Sequence, residues 1–145
     1  MFLKTVMPFI CLLCAIITGD SFAKLLAFPT AQGFGANATG GRGGAVYHVT
    51  TLNETGTGSI TDACSQSNRT VVFDVGGVIN IVNRINVADN ITLAGQTAPG
   101  DGIVIYGFGI ITNGANIIVR YLTILGNFVN MPSDKCTITW DGSNN

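Results

Sequence analysis

VVFDVGGVINI (Val71–Ile81), INVADNITLAG (Ile85–Gly95), DGIVIYGFGIITNG (Asp101–Gly114) and NIIVRYLTILG (Asn116–Gly126) follow one another through the middle of the chain. Each joins a short β-branched run to a Gly or Asn corner. Alternation with period two places Ile, Val and Leu on one face of a strand, and corners every few residues leave room for neither long strands nor helices. Ile79-x-Ile81 recurs as Ile103-x-Ile105 after 24 residues, and Ile91-x-Leu93 recurs as Ile117-x-Val119 after 26. A period in the twenties marks coils stacked on one another, each too small to bury its own apolar face. Between Val71 and Gly126 only Asp74, Arg84, Asp89, Asp101 and Arg120 are charged, as expected where little backbone faces solvent. The periodicity predicts an all-β chain folded as a right-handed parallel β-helix. Taken alone, it also allows an irregular β-sandwich.

Working outward, Ser59-Ile60-Thr61-Asp62 has the Ser-x-x-acid form of a capping box. A short helix from Ile60 to Gln66 is expected, lying across the first coil and covering its apolar cross-section. Before it, Ala45–Thr51 alternates as a strand, with Val46, His48 and Thr50 on one face and Tyr47, Val49 and Thr51 on the other. His48 is the only histidine. With no Ser, Cys or second ligand near it in sequence, it is expected to be a hydrogen-bonded structural residue rather than a general base. Phe28–Gly44 is glycine-rich and has neither the Walker Lys-Ser/Thr nor the apolar helix of a phosphate cradle. A tight wrap against the first coil is expected instead, with Arg42 in a structural ion pair.

The 145 residues suffice for one domain, and seven Lys+Arg against eight Asp+Glu give a net charge of -1. Without a basic run, a nucleic-acid partner has no electrostatic footprint. Lys4, the apolar run Thr5–Thr18 and Ser21-Phe22-Ala23 read as a signal peptide over residues 1–23. The run is short for a bilayer span, although an uncleaved anchor stays open. A secreted, extracellular monomer spanning 24–145 is expected, with wrap, strand and cap in 24–70 and the coils in 71–145. Cys64 and Cys136 remain after leader removal, and a disulfide and two free thiols are equally open. Asn37, Asn53, Asn68 and Asn90 head Asn-x-Thr sequons and are candidate glycosylation sites. Asn90 sits at a coil corner where its side chain is expected to stack inside.

Taken together, AFPTAQGFGANATGGRGGAVYHVTTLN (27–53), GTGSITDA (56–63), RTVVFDVGGVINI (69–81), ITLAGQTAPGDGIVIYG (91–107) and ANIIVRYLTI (115–124) resemble the secreted pectate lyases of polysaccharide lyase family 1. The resemblance implies the same parallel β-helix, Ca²⁺-dependent β-elimination, and an acidic polysaccharide, polygalacturonate, as partner. It also implies a metal-binding Asp within Ser133–Asn145. The family register falls on Lys135, which leaves Asp134, one position off, as the candidate metal ligand. Two arginines implied after Arg120-Tyr121 are replaced by Thr123 and Leu125, and Arg120 is expected outside the active site. The remaining ligands and the catalytic Arg are implied in later coils. The expectation is therefore a β-helix incomplete at its C-terminal end, its last strand Thr137–Trp140 without a coil beyond it. Two alternatives to an enzyme stand beside this: a non-catalytic module binding polysaccharide through Tyr106, Phe108, Tyr121 and Trp140, and an inactive remnant.

Overall fold

The computed structural model describes residues 25–127 and 138–140. The leader read at residues 1–23, Asp134, Cys136 and the side chain of Trp140 lie outside the described residues. Ten short strands and one helix follow in the order β1 (Ala45–Val49), α1 (Ile60–Cys64), β2 (Arg69–Phe73), β3 (Gly77–Ile81), β4 (Ile85–Val87), β5 (Ile91–Ala94), β6 (Ile103–Gly107), β7 (Ile110–Thr112), β8 (Ile118–Arg120), β9 (Leu122–Gly126) and β10 (Ile138–Trp140). They form three sheets, β1-β2-β5-β8, β3-β6-β9 and β4-β7-β10, in which every pairing is parallel. Each coil contributes one strand to each sheet in turn. This is the parallel β-helix that the periodicity predicts, and it excludes the sandwich.

Inward-pointing residues stack directly over one another from coil to coil. Tyr47, Val71, Leu93 and Val119 form one column, Ile79, Ile105 and Ile124 a second, and Ile85, Ile110 and Ile138 a third. Val71, Leu93, Ile79 and Ile105 are fully buried, whereas Val119, Ile124 and Ile138 in the last described coil are not. Burying one such side chain contributes about 1.5–3 kcal/mol, so the columns supply most of the apolar stabilisation.

The register differs from the sequence reading in one place. Ile91-x-Leu93 does lie under Ile117-x-Val119, since Leu93 pairs with Val119. Ile79, however, pairs with Ile105 rather than Ile103, a shift of two residues that keeps the same face inward. The cause is at the corners. Residues 74–76 join β2 to β3, residues 95–102 join β5 to β6, and Tyr121 alone joins β8 to β9. The second sheet absorbs these changes in length, and a single repeat length cannot describe it.

The cap forms as expected but ends earlier, at Cys64 rather than Gln66. Ser59 Oγ accepts from the Asp62 N–H at 3.2 Å, giving half of the capping box, while the Asp62 carboxylate turns instead to Tyr47. Ile60, Ala63 and Cys64 are fully buried, and α1 packs on β1, β2 and β4, with the Ala88 N–H donating to the Cys64 carbonyl. The strand expected over Ala45–Thr51 closes at Val49, and that expected over Thr137–Trp140 covers Ile138–Trp140.

The glycine-rich segment lies across the outer face of the first sheet. The Gly41 N–H donates to Thr92 Oγ1 (2.9 Å), and the Gly41 carbonyl accepts from Thr70 Oγ1 (3.3 Å). A Cβ at Gly41 would stand 1.9 Å from the Arg69 carbonyl oxygen, which no side chain permits. Gly40 presses in the same way on Thr92 and Ile118, which is why outward-facing Ile118 is buried. The segment also makes a single 3₁₀ turn, Phe34–Asn37, that its composition does not announce.

If these columns are the core, Ile105→Ala costs about 2–5 kcal/mol in urea denaturation, while Val78→Ala on the exposed face of the neighbouring strand costs less than about 1 kcal/mol. Equal losses would contradict the assignment of inner and outer faces.

Candidate functional site

Strand β1 is an edge of the first sheet, and its outward His48 meets Asp74, the residue after β2. His48 Nδ1 lies 2.9 and 3.0 Å from the two carboxylate oxygens, and both side chains are about half exposed. The expected structural histidine is thus hydrogen-bonded. On the inner face of the same strand, Tyr47 Oη donates to Asp62 Oδ2 (2.5 Å) and accepts from the Gly58 N–H (2.9 Å). Arg69 stacks over the Tyr47 ring, 4.7 Å from its centroid, and donates to the Asp62 carbonyl. This network ties β1, the 50–58 turn and α1 together. The Asp62 hydrogen bond and partial burial both raise the Tyr47 pKa above its ordinary value.

Cys64, among the fully buried core residues, is a free thiol. Burial pushes its pKa up to about 12, because a thiolate there would lose its solvation. Such a thiol, un-ionised and buried, is a poor nucleophile.

The five carboxylates among the described residues are spread over helix α1 and four separate turns. Glu54 Oε1 accepts from the Val82 and Asn83 N–H groups, Asp62 and Asp74 are held as above, and Asp89 Oδ1 accepts from the Ala115 N–H. Asp101 stands on the exposed 95–102 corner. Among the described residues no three His, Cys, Asp or Glu are grouped to hold a metal ion. Ca²⁺ takes about six to eight oxygens, so this set does not fit it.

The outer face of the second sheet is uncharged. Val78, Val104 and Thr123 form one register row, and Asn80, Tyr106 and Leu125 the next. Thr123 and Leu125, where the resemblance implies arginines, are both exposed there. Tyr106 belongs to this face, while Tyr121 stands at the β8–β9 corner. The aromatic residues read as a stacking set therefore lie on different elements.

The three arginines read from the sequence have distinct settings. Arg42 donates to the Leu26 carbonyl (2.7 Å), so the expected ion pair is replaced by a tether within the wrap. Arg84 reaches Thr139 Oγ1 at 3.4 Å. Arg120 lies over the Phe28 ring at 4.4 Å and beside the Tyr121 ring at 5.1 Å.

Three corner asparagines share the left-handed conformation: Asn68 (φ 61°), Asn90 (φ 55°) and Asn116 (φ 58°). Each precedes or nearly precedes a strand of the first sheet, where Asn tolerates positive φ better than other side chains. Asn116 Nδ2 donates to Asn90 Oδ1 at 3.1 Å, so Asn90 is stacked as expected. Asn53 and Asn68 are exposed and Asn37 is half-buried. The αL corners are invisible to hydrophobic periodicity, although Asn at matched positions is a signal that could have found them.

No model of a known protein family matches the chain. Individual relatives do. The chain is 53% identical over 126 residues to a protein of Emericella nidulans named "Probable pectate lyase C", covering 86% of this chain and 30% of that protein. It is 58% identical over 103 residues to a protein of the same name in Aspergillus oryzae, covering 70% of this chain and 25% of the relative. The chain thus spans between a quarter and a third of the length of the curated relatives it matches. Among solved structures, the major allergen of cedar pollen, Jun a 1, superposes with a TM-score of 0.54 at 22% identity, covering 62% of this chain and 28% of that one, a likeness of fold.

Cys64 and Tyr47 give stability a pH dependence of known sign. Below about pH 9 the Cys64 thiol keeps its proton whether folded or unfolded. Above that value the unfolded thiol ionises, while the folded one holds its proton to about pH 12. Stability therefore falls as pH rises, by up to about 1.4 kcal/mol per unit from Cys64, and Tyr47 adds to the fall above its ordinary pKa of 10.0. Chemical denaturation between pH 7 and pH 10.5 should show this loss, and Cys64→Ala, though less stable at neutral pH, should show a shallower one. Parallel curves for the two proteins would contradict the burial of an un-ionised thiol.

Proposed function

Because this chain belongs to the pectate lyase family, we propose that it forms coils of a secreted β-helix acting on acidic pectin polysaccharide, the family reaction being Ca²⁺-dependent β-elimination of polygalacturonate. The observation carrying this reading is identity above one half, over most of the chain, with fungal proteins named as pectate lyases. Activity and substrate are ascribed through those longer proteins.

The chemistry sets what the reaction requires. Removing the C5 proton beside a uronate carboxylate builds enolate-like charge, which cations near the carboxylate must stabilise. No described residue is read as the proton-abstracting arginine or as part of a set of calcium ligands. Asp134 remains the candidate ligand proposed from the resemblance. The described coils supply scaffold: the stacked interior, the capped first coil, and an outer sheet face presented to solvent.

A second reading is favoured by a specific feature of that face. Thr123 and Leu125 stand exposed where the resemblance implies arginines, so the chain of 145 residues is proposed to bind saccharide without cleaving it. Export rests on the leader read at 1–23 and on the family. Among the described residues no helix is long and apolar enough to cross a membrane. Glycans are proposed at Asn37, Asn53 and Asn68 rather than at Asn90, whose side chain is hydrogen-bonded in the corner stack.

Purified protein lacking residues 1–23, given polygalacturonate and Ca²⁺, should produce no rise in the absorbance of the new C4=C5 double bond, while calorimetry detects binding. Calcium-dependent turnover would overturn the second reading and establish the enzyme in the chain itself. Absence of both binding and turnover would remove the polysaccharide role.

A further inference from the structure

The β8–β9 corner holds a charged group that no described residue satisfies. Tyr121 is the whole connection between the two strands, and its backbone has φ 55°. It is seated firmly, because its carbonyl rests on the corner of the coil below: a Cβ at Gly95 would lie 2.2 Å from the Tyr121 oxygen. The side chain stands out from this seat and is 67% exposed. Arg120, immediately before it, pairs with Ala94 in the first sheet and points outward. Its guanidinium lies between the Phe28 ring and the Tyr121 ring.

Among the described residues Arg120 makes no hydrogen bond and no ion pair, whereas Arg42, Arg69 and Arg84 each have an oxygen acceptor. Stacking on rings occupies the faces of a guanidinium and leaves its in-plane N–H fork unspent. That fork matches a carboxylate bidentately. An exposed tyrosine ring beside it offers an apolar face with a polar tip, the surface on which the C–H face of a pyranose packs. We propose that Arg120 and Tyr121, braced by Phe28, bind a uronate residue, the arginine taking the carboxylate and the tyrosine the sugar ring, without a metal ion. The choice of uronate rests on the acidic-polysaccharide reading above; the carboxylate site itself rests on the geometry.

A purely structural role would account for Phe28 on Arg120, since that contact pins the wrap to the first sheet. It would not account for Tyr121. The other residues that hold positive φ at the corners before β2, β5 and β8 are Asn68, Asn90 and Asn116, and asparagine tolerates that conformation better than a bulky aromatic ring does. Tyr121→Asn therefore relieves backbone strain while removing the ring. The two roles predict opposite things for it: a structural ring is lost with stability, a binding ring is lost without it.

The test is titration of the full chain with trigalacturonate in excess EDTA, followed by calorimetry or by amide shifts at residues 118–122. Arg120→Gln should weaken binding at least about tenfold, with Arg120→Lys intermediate. Tyr121→Asn should weaken it several-fold with an unchanged or raised thermal midpoint. A neutral galactose trimer, which lacks the carboxylate, should bind far more weakly and be indifferent to both Arg120 changes. Wild-type affinity in both Arg120→Gln and Tyr121→Asn, or equal binding of the neutral trimer, would overturn the proposal. Alginate, a different polyuronate, separates the two readings. Arg120-dependent binding of alginate without polygalacturonate upholds the carboxylate site and removes the pectin assignment. Arg120-independent binding of polygalacturonate does the reverse, and no binding of either overturns the site.

Discussion

Every coil of this protein must present its apolar residues at the same height as the coil below. Parallel strands share their backbone hydrogen bonds only with neighbouring coils, and the interior is wide enough for one layer of side chains per coil. Ile79 on Ile105, and Val71 on Leu93, are therefore both packing contacts and markers of register. A coil that slipped by one residue would turn its isoleucines outward. The corners, the glycine wrap and the cap helix all serve this alignment. α1 closes the cross-section beneath β1, β2 and β4, and Gly41, held between Thr70 and Thr92, fixes the wrap to two successive strands at once.

Much of this was legible from side-chain pattern alone, because inward alternation in strands is a one-dimensional signal. The columns, the faces of β1, the Ser59 cap and the close approach of the glycines follow from residue type and spacing. What escaped was set by corner length. The repeated Ile-x-Ile motif aligns Ile79 with Ile103, yet the eight-residue corner at 95–102 carries Ile105 to that height. The sequence suggests a carboxylate for Arg42, which instead donates to the Leu26 carbonyl, since backbone oxygens leave no mark in the sequence. Tyr121 at positive φ had no sequence signal at all.

The chemistry-bearing side chains divide in the same way. Four of the five described carboxylates are committed to scaffold bonds on separate elements, and among the described residues they form no cluster that could hold a cation. Resemblance identified the family, and relatives above one half in identity support it. It could not say which polar groups the coils spend on holding themselves together, because that depends on which corners adjoin in space. Among the described arginines the Arg120 guanidinium, flanked by two rings and without an oxygen partner among the described residues, is the exception.

The interior columns admit a direct measurement. With isoleucine methyl groups labelled, nuclear Overhauser contacts should link Ile79 to Ile105 and Ile105 to Ile124, and Ile85 to Ile110. Contacts from Ile79 to Ile103 in place of Ile105, or a cross-strand pattern of antiparallel pairing, would contradict the stacked parallel coils on which the whole account depends.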